Sequence, residues 1–213
     1  MCIRDSLNNG HAPVVNERHF HFDEELFKMC PDHVDLRGYF QTEKYFKHIE
    51  KEIRSDFTFK DEILNPCKEM IESVENPIAL HVRRGDYIKN AENHFNLPRA
   101  YYEAALSKFD ANRNVIVFSD DPVWCHDEGT FADDRFIISE NEDNRVDLCL
   151  MSLCDDFIIA NSSYSWWGAW LSANKDKTVI APAQWFGKTG YTKDHDTKDL
   201  IPNDWTIIND GQE

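Results

Sequence analysis

Residues 77 to 87 read Pro77-Ile78-Ala79-Leu80-His81-Val82-Arg83-Arg84-Gly85-Asp86-Tyr87. A short apolar run bounded by breakers, here over 78–82, has the pattern of a buried parallel strand. Two adjacent arginines at its carboxyl end are costly unless something anionic meets them. In open α/β sheets, ligands bind in the crevice beyond the carboxyl ends of the strands. Guanidinium groups grip phosphate oxygens through a rigid fork of donors. One reading is therefore a phosphate-bearing ligand held at Arg83 and Arg84. The other is a structural ion pair, with Asp86 or another acid closing on an arginine. Side chains two apart share a face of a strand, so His81 supports Arg83, the main phosphate candidate. Arg84 points to the other face, where a structural role competes with a ligand role.

Outward from this strand the pattern is regular. A helix is expected over 98–106, opened by Pro98, then a strand over 115–118 ending in Ser119-Asp120-Asp121. A short helix follows over 122–126, a strand over 136–138 and a helix over 144–153. A strand over 157–160 ends in Asn161-Ser162-Ser163, an aromatic helix covers 164–173, and the last clear strand covers 178–181. Strand alternating with helix several times over predicts a parallel sheet with helices on its faces. The three polar clusters then emerge on one edge of that sheet.

Residues 7 to 75 alternate polar turns with aromatic stretches. His19-Phe20-His21-Phe22 alternates with period two, as in a short strand, and residues 36–40 read as a strand or a turn. A helix is expected over 42–57 from Phe46, Ile49 and Ile53, and a weaker one over 60–74, interrupted at Pro66. A domain boundary is placed near residue 75. Met1-Cys2-Ile3-Arg4-Asp5-Ser6 fits no element and reads as a cloning or assembly remnant, so it is left out of the fold.

The chain of 213 residues carries a formal charge of −16, with 41% hydrophobic and 13% aromatic residues. It can bury a core, and its acidity makes it a poor binder of nucleic acid or anionic membrane. The bland source of that acidity is solubility. The six cysteines form no CxxC pair or zinc spacing; Cys149 and Cys154 read as small buried hydrophobes. This usage fits a reducing compartment. No run of residues is long enough to span a membrane, and no secretory signal is visible. Asn161-Ser162-Ser163 is the one glycosylation sequon, and it falls in the expected ligand site, which favours the cytoplasm.

Each cluster has a functional and a structural reading. Asn161-Ser162-Ser163 opens a helix, whose free N–H groups and partial positive charge suit a phosphate; a plain cap is the alternative. Trp166, Trp167 and Trp170 read chiefly as core packing, with one ring free to face a sugar or base. Ser119 and Asp120 suit a ribose or base. A metal site is a weaker reading of the Ser119-Asp120-Asp121 run, and an acid capping the helix at Pro122 is the bland one. Asp147, in an otherwise apolar helix, suits the N1–H and 2-amino group of a guanine, against a helix-dipole acid. Asp86, Glu92 and His94 sit in the loop after the arginines, where they approach an acceptor hydroxyl.

Taken together, His81-Val82-Arg83-Arg84-Gly85-Asp86-Tyr87, Phe118-Ser119-Asp120-Asp121 and Asn161-Ser162-Ser163-Tyr164-Ser165-Trp166-Trp167-Gly168-Ala169-Trp170-Leu171 resemble the α-1,2-fucosyltransferases of glycosyltransferase family 11. The resemblance extends to residues 38–46, 181–186 and 199–202 and covers nearly all of residues 15 to 208. It implies a GT-B-type α/β fold, with residues 76–213 as a Rossmann-like GDP-fucose-binding domain and 1–75 as the remnant of an acceptor-side domain. It implies GDP-fucose as co-substrate, no cofactor or metal, and inverting transfer of fucose to the 2-hydroxyl of a β-galactoside in a glycan. Arg83 would hold the β-phosphate, with His81, Arg84, Ser119, Asp120, Asp147, Asn161, Ser162, Ser163 and Ser165 around the donor. Asp86 and Glu92 are the candidate bases by position. The glycine-rich Gly-Gly-Leu-Gly-Asn-Gln segment usual near the start of such proteins is absent, which predicts an N-terminally truncated member. A cytoplasmic protein of bacterial type, at most peripheral to the inner membrane, is expected. The rivals are another GDP-sugar-dependent fucosyltransferase and a non-catalytic nucleotide-sugar or glycan-binding module.

Overall fold

A computed structural model of the protein describes residues 12–127 and 129–209. Met1 to Ser6, including Cys2, lie outside the described residues. The chain divides into two compact units: residues up to 53 together with 194–202, and residues 54–193 together with those from 203 on.

The second unit carries the sheet. Its strands are β3 (Ile78–Val82), β4 (Val115–Ser119), β5 (Phe136–Ile138), β6 (Asp156–Ile158), β7 (Val179–Pro182) and β8 (Thr206–Ile208). All pair in parallel, in the order β5-β4-β3-β6-β7-β8. Counted within this sheet alone, that is the 3-2-1-4-5-6 order of a Rossmann-like fold. The order reverses between β3 and β6, where Leu80 faces Val117 on one side and Ile158 on the other. Every residue of β3 is buried, as a central parallel strand requires. This mixed α/β architecture, with its six-stranded parallel sheet, is the one expected of a GT-B-type glycosyltransferase.

Among the described residues, six α-helices lie wholly in this unit, α3 (Asp61–Glu72), α4 (Gly85–Lys89), α5 (Arg99–Leu106), α6 (Pro122–Asp127), α7 (Asn144–Leu153) and α8 (Ser163–Leu171), together with a 3-10 turn at Gly129–Phe131. The tyrosines of α5 are fully buried, and Tyr101 donates its hydroxyl to the Ile159 carbonyl at 2.6 Å, fastening α5 to the chain just past β6. α8 lies against α7, where a side chain on Gly168 would collide with Met151. The three tryptophans of α8 pack on one another; Trp167 also stacks on Phe57 and Trp166 meets Trp205. Arg54 lies 4.2 Å over the Trp170 ring and donates to the Leu171 carbonyl. These rings are therefore core. Cys67, Cys125, Cys149 and Cys154 are buried free thiols.

Several local expectations change. Within residues 60–74, α3 runs unbroken from Asp61 to Glu72 through Pro66. Pro66 lies on its exposed face, so the Glu62 carbonyl left without a donor can meet water. That helix packs on α7, and Cys67 Sγ reaches the Val146 carbonyl. The division between units accordingly falls after Ile53 rather than near residue 75. The stretch just after the arginines, expected as loop, begins with α4, and β8 lies beyond the last strand the pattern showed.

The first unit differs most. Its strands are β1 (Val14–Asn16) and β2 (Asp35–Arg37), paired in parallel. No strand forms at residues 19–22. There the alternation comes from ring packing: His19 stacks on His21, Phe20 on His195, and Phe22 meets Phe27 and Tyr45. Helix α1 (Glu24–Met29) is capped by Asp23, whose carboxylate also takes Arg18 at 2.6 Å. The helix expected over 42–57 is split into two 3-10 turns and α2 (Glu50–Asp56). The break is at Phe46, at φ −136° and ψ −1°, beside Tyr45, which is held in an aromatic cluster with Phe22, Phe27 and Phe40.

Candidate active site

A cavity of about 370 Å³ opens at the carboxyl edge of the sheet, at the point where strand order reverses. β3 supplies His81 and leads into Arg83; α4 supplies Asp86 and Tyr87, and His94 follows it. Phe118, Ser119 and Asp120 come from the end of β4, Asn144 and Asp147 from α7, and Ser162, Ser163 and Tyr164 from the start of α8. Nine residues singled out from the sequence thus line one cavity: His81, Arg83, Asp86, His94, Ser119, Asp120, Asp147, Ser162 and Ser163.

Arg83 sits between acids. Its Nη2 donates to Asp86 Oδ1 at 2.7 Å, and Nη1 lies 3.1 Å from Asp120 Oδ2. Its Nε is buried and, among the described residues, has no hydrogen-bond partner. One donor of the fork is therefore unspent. Asp120 is itself fixed, because its Oδ1 accepts the Arg84 backbone N–H at 2.9 Å. Gly85 makes room for this carboxylate: a Cβ there would overlap Asp120 Oδ2.

Arg84 does not line the cavity. Its Nε donates to Asp121 Oδ2 at 3.2 Å and its guanidinium lies 4.1 Å over the Trp124 ring. Asp121 Oδ1 in turn accepts the Trp124 N–H, capping α6. The structural alternative weighed for each of these two residues is the arrangement seen.

His81 is 4% exposed, and its Nδ1, among the described residues, has no hydrogen-bond partner. Burial, then the neighbouring Arg83 charge, pulls its pKa down to about 3, so the ring is neutral. Burial raises the pKa of Asp147, against the hydrogen bonds that its Oδ1 accepts from Ser139 Oγ at 2.6 Å and Asn141 Nδ2 at 2.9 Å. Among the described residues, Oδ2 of Asp147 receives no hydrogen bond.

The α8 start is built as a cap. Ser162 Oγ accepts the Tyr164 N–H, leaving Ser163 exposed at the first turn. Ser165 turns inward instead, fully buried, and donates back to the Ala160 and Ser162 carbonyls. Asn161 is 1% exposed and lies behind the cavity. Its amide donates to the Phe95 and Trp185 carbonyls at 2.8 and 2.7 Å, and its own carbonyl accepts the Tyr87 hydroxyl. Buried in this way, the sequon asparagine offers no surface to a glycan. Glu92 is exposed and off the cavity, in a turn whose carbonyl accepts the Gly190 N–H.

Four lining residues were given no site role from the sequence: Tyr87, Phe118, Asn144 and Tyr164. Tyr164 hides in the aromatic run of α8, yet its hydroxyl donates to the Asn144 carbonyl at 2.6 Å, bracing α8 on α7. Its position right after Ser162-Ser163 was the available signal.

The family model for glycosyl transferase family 11 matches residues 11–209. The chain belongs to that family. Over 174 residues it is 38% identical to the O-antigen biosynthesis glycosyltransferase WbnK of Escherichia coli, covering 74% of this chain and 57% of that protein. Over 188 residues it is 34% identical to an alpha-1,2-colitosyltransferase of Escherichia coli, covering 82% and 62%. It is also 25% identical over 186 residues to the galactoside 2-alpha-L-fucosyltransferase Sec1 of Mus musculus, covering 78% and 50%. The chain thus spans between half and two thirds of the length of these relatives. No described helix is long and apolar enough to cross a membrane.

Proposed function

We propose that this family 11 chain binds GDP-fucose in the cavity and transfers L-fucose, with inversion and without a metal, to the 2-hydroxyl of a β-galactoside in a glycan. The observation that carries the reading is Arg83, with a buried, unspent Nε–H, at the strand-order reversal and on the same cavity wall system as the start of α8. As the glycosidic bond of the donor breaks, charge grows on the departing diphosphate. A guanidinium aimed there stabilises the transition state more than the ground state. Asp86, the more exposed of its two acid partners, is the one a phosphate would displace. Asp120 would keep the guanidinium in place. Ser163 and the free N–H groups of the α8 first turn add donors to the same phosphates. Both acids beside Arg83 are engaged by guanidinium, which favours Arg83 over a cation in neutralising the leaving group.

Asp147 Oδ2, without a donor of its own, suits the N1–H and 2-amino group of guanine. The free buried thiols fit a reducing, cytoplasmic setting. The relative named as a colitosyltransferase favours one second reading, in which the sugar carried is the 3-deoxy analogue of fucose. Incubation with GDP-fucose or GDP-colitose and a β-galactoside in EDTA, with the product linkage read by NMR, tests both. An α-1,2-fucosylated product supports the proposal. A product from GDP-colitose alone selects the second reading, and strict dependence on added divalent cation contradicts the metal-free mechanism.

A further inference from the structure

We propose that His94 is the general base that takes the proton from the acceptor hydroxyl. The assignment rests on the fucosyl-transfer reading above and extends it to the acceptor side of the same cavity. His94 lines the cavity, and its imidazole, among the described residues, makes no side-chain hydrogen bond to the protein. Its backbone is firmly placed. The N–H donates to the Asn90 carbonyl at 3.0 Å, and the residue bridges to Phe186 beyond β7. The preceding Asn93 accepts the Tyr191 N–H on its side chain and the Gly187 N–H on its carbonyl. The ring stacks on Tyr87 with centroids 4.1 Å apart and planes 10° from parallel, while the Tyr87 hydroxyl is tied to the Asn161 carbonyl. The imidazole is thus held in one orientation with its nitrogens unspent.

Strand order places it where an acceptor must sit. Asp147 is bonded to Ser139, just past β5; Arg83 follows β3, and His94 bridges to the segment past β7. Along the sheet edge these three lie in the order Asp147, Arg83, His94. A nucleotide sugar with its base at Asp147 and its diphosphate at Arg83 directs its sugar toward Tyr87 and His94.

The acids are less suited to the task. Asp86 lies against Arg83, its Oδ1 accepting from Nη2 at 2.7 Å, which puts it beside the diphosphate rather than the acceptor. Glu92 is not at the cavity. Burial lowers the His94 pKa, against the raising effect of Asp86, so the free-base form prevails at neutral pH. In the step, the acceptor O–H proton passes to the imidazole as the oxygen bonds to the anomeric carbon. The bond from that carbon to phosphate breaks, and its electron pair leaves on GDP beside Arg83. The nearby Asp86 carboxylate favours the imidazolium so formed, which then returns its proton to solvent.

The test compares His94→Gln and His94→Ala with the native chain in steady-state transfer at saturating GDP-fucose, with donor Kd measured by calorimetry on the same samples. The expected result is a fall in kcat of about 100-fold or more in both, with donor Kd changed by less than about twofold. Added imidazole should restore part of the His94→Ala activity. Glutamine keeps a polar group but takes no proton, so equal losses in the two variants separate proton transfer from positioning. A kcat within about threefold of native in either variant overturns the proposal, as does donor binding lost in step with kcat. A native chain that binds GDP-fucose yet transfers to no β-galactoside also overturns it, while leaving the donor site standing. A native chain that binds no GDP-fucose removes the donor reading and this assignment with it.

Discussion

Replacing Asn161 with alanine tests whether this sequon residue is a bracket. Its amide reaches across the sheet edge to the Phe95 carbonyl after α4 and the Trp185 carbonyl after β7, at 2.8 and 2.7 Å. The side chain is 1% exposed, so water cannot readily replace it. Alanine leaves both carbonyls without this donor, at about 1–3 kcal/mol for each buried group so stranded. A loss of about 2–5 kcal/mol is expected, which for a chain of this size lowers Tm by about 5–15 °C. Asn161→Asp discriminates further. It replaces an N–H donor with a second acceptor facing two carbonyls, so at pH 7.5 it should be less stable than alanine. The gap should narrow in mild acid, where a protonated carboxyl can donate one bond. Urea denaturation and thermal melts followed by circular dichroism read both effects. Alanine costing less than about 0.5 kcal/mol, or aspartate as stable as alanine at pH 7.5, would refute the bracket.

Gly85→Ala should weaken GDP-fucose binding in calorimetry by about tenfold or more, because the new Cβ overlaps the Asp120 carboxylate that fixes Arg83 and the Arg84 backbone; native affinity would show that the carboxylate is not needed where it stands. Asp147→Asn keeps an oxygen to accept from Ser139 and Asn141 and removes a buried charge. Because burial raises the native carboxyl's pKa, its stabilising contribution is present below the unfolded value near 3.8 and is lost as pH rises through the folded value. Relative to native, the asparagine variant should therefore gain stability between pH 4 and pH 7.5 in urea titrations; a constant difference would contradict this. His81 runs the other way. Its folded pKa of about 3 lies below the ordinary 6.5, so its contribution is present above 6.5 and is lost as pH falls toward 3, at about 1.4 kcal/mol per pH unit. His81→Gln should flatten that acid limb, and an unchanged limb would sink the assignment.

The sequence is legible where one physical cause dominates. The strand at 78–82, the strand at 136–138 and the helix at 144–153 coincide with β3, β5 and α7, since each is an apolar or amphipathic run with clear breakers. Elements too short to show a period are less visible. α4 offers a little over one turn, opened by a glycine, and β8 is a three-residue edge strand with Ile207 exposed. In the first unit, aromatic stacking produces the spacing that alternation normally signals in a strand. The site residues could be gathered from strand ends because parallel strands deliver them to one edge. Which acid meets which arginine could not: Asp120 reaches Arg83 and the Arg84 backbone from 36 residues away, and periodicity carries no information at that range.

The most direct test of the central claim is a calorimetric titration of the chain with GDP-fucose in EDTA, with Arg83→Ala and GDP-mannose as controls. Binding by the native chain that is selective over GDP-mannose and lost in Arg83→Ala is the predicted result. A folded Arg83→Ala chain that binds GDP-fucose as tightly as native would contradict the account, as would a folded native chain that does not bind it.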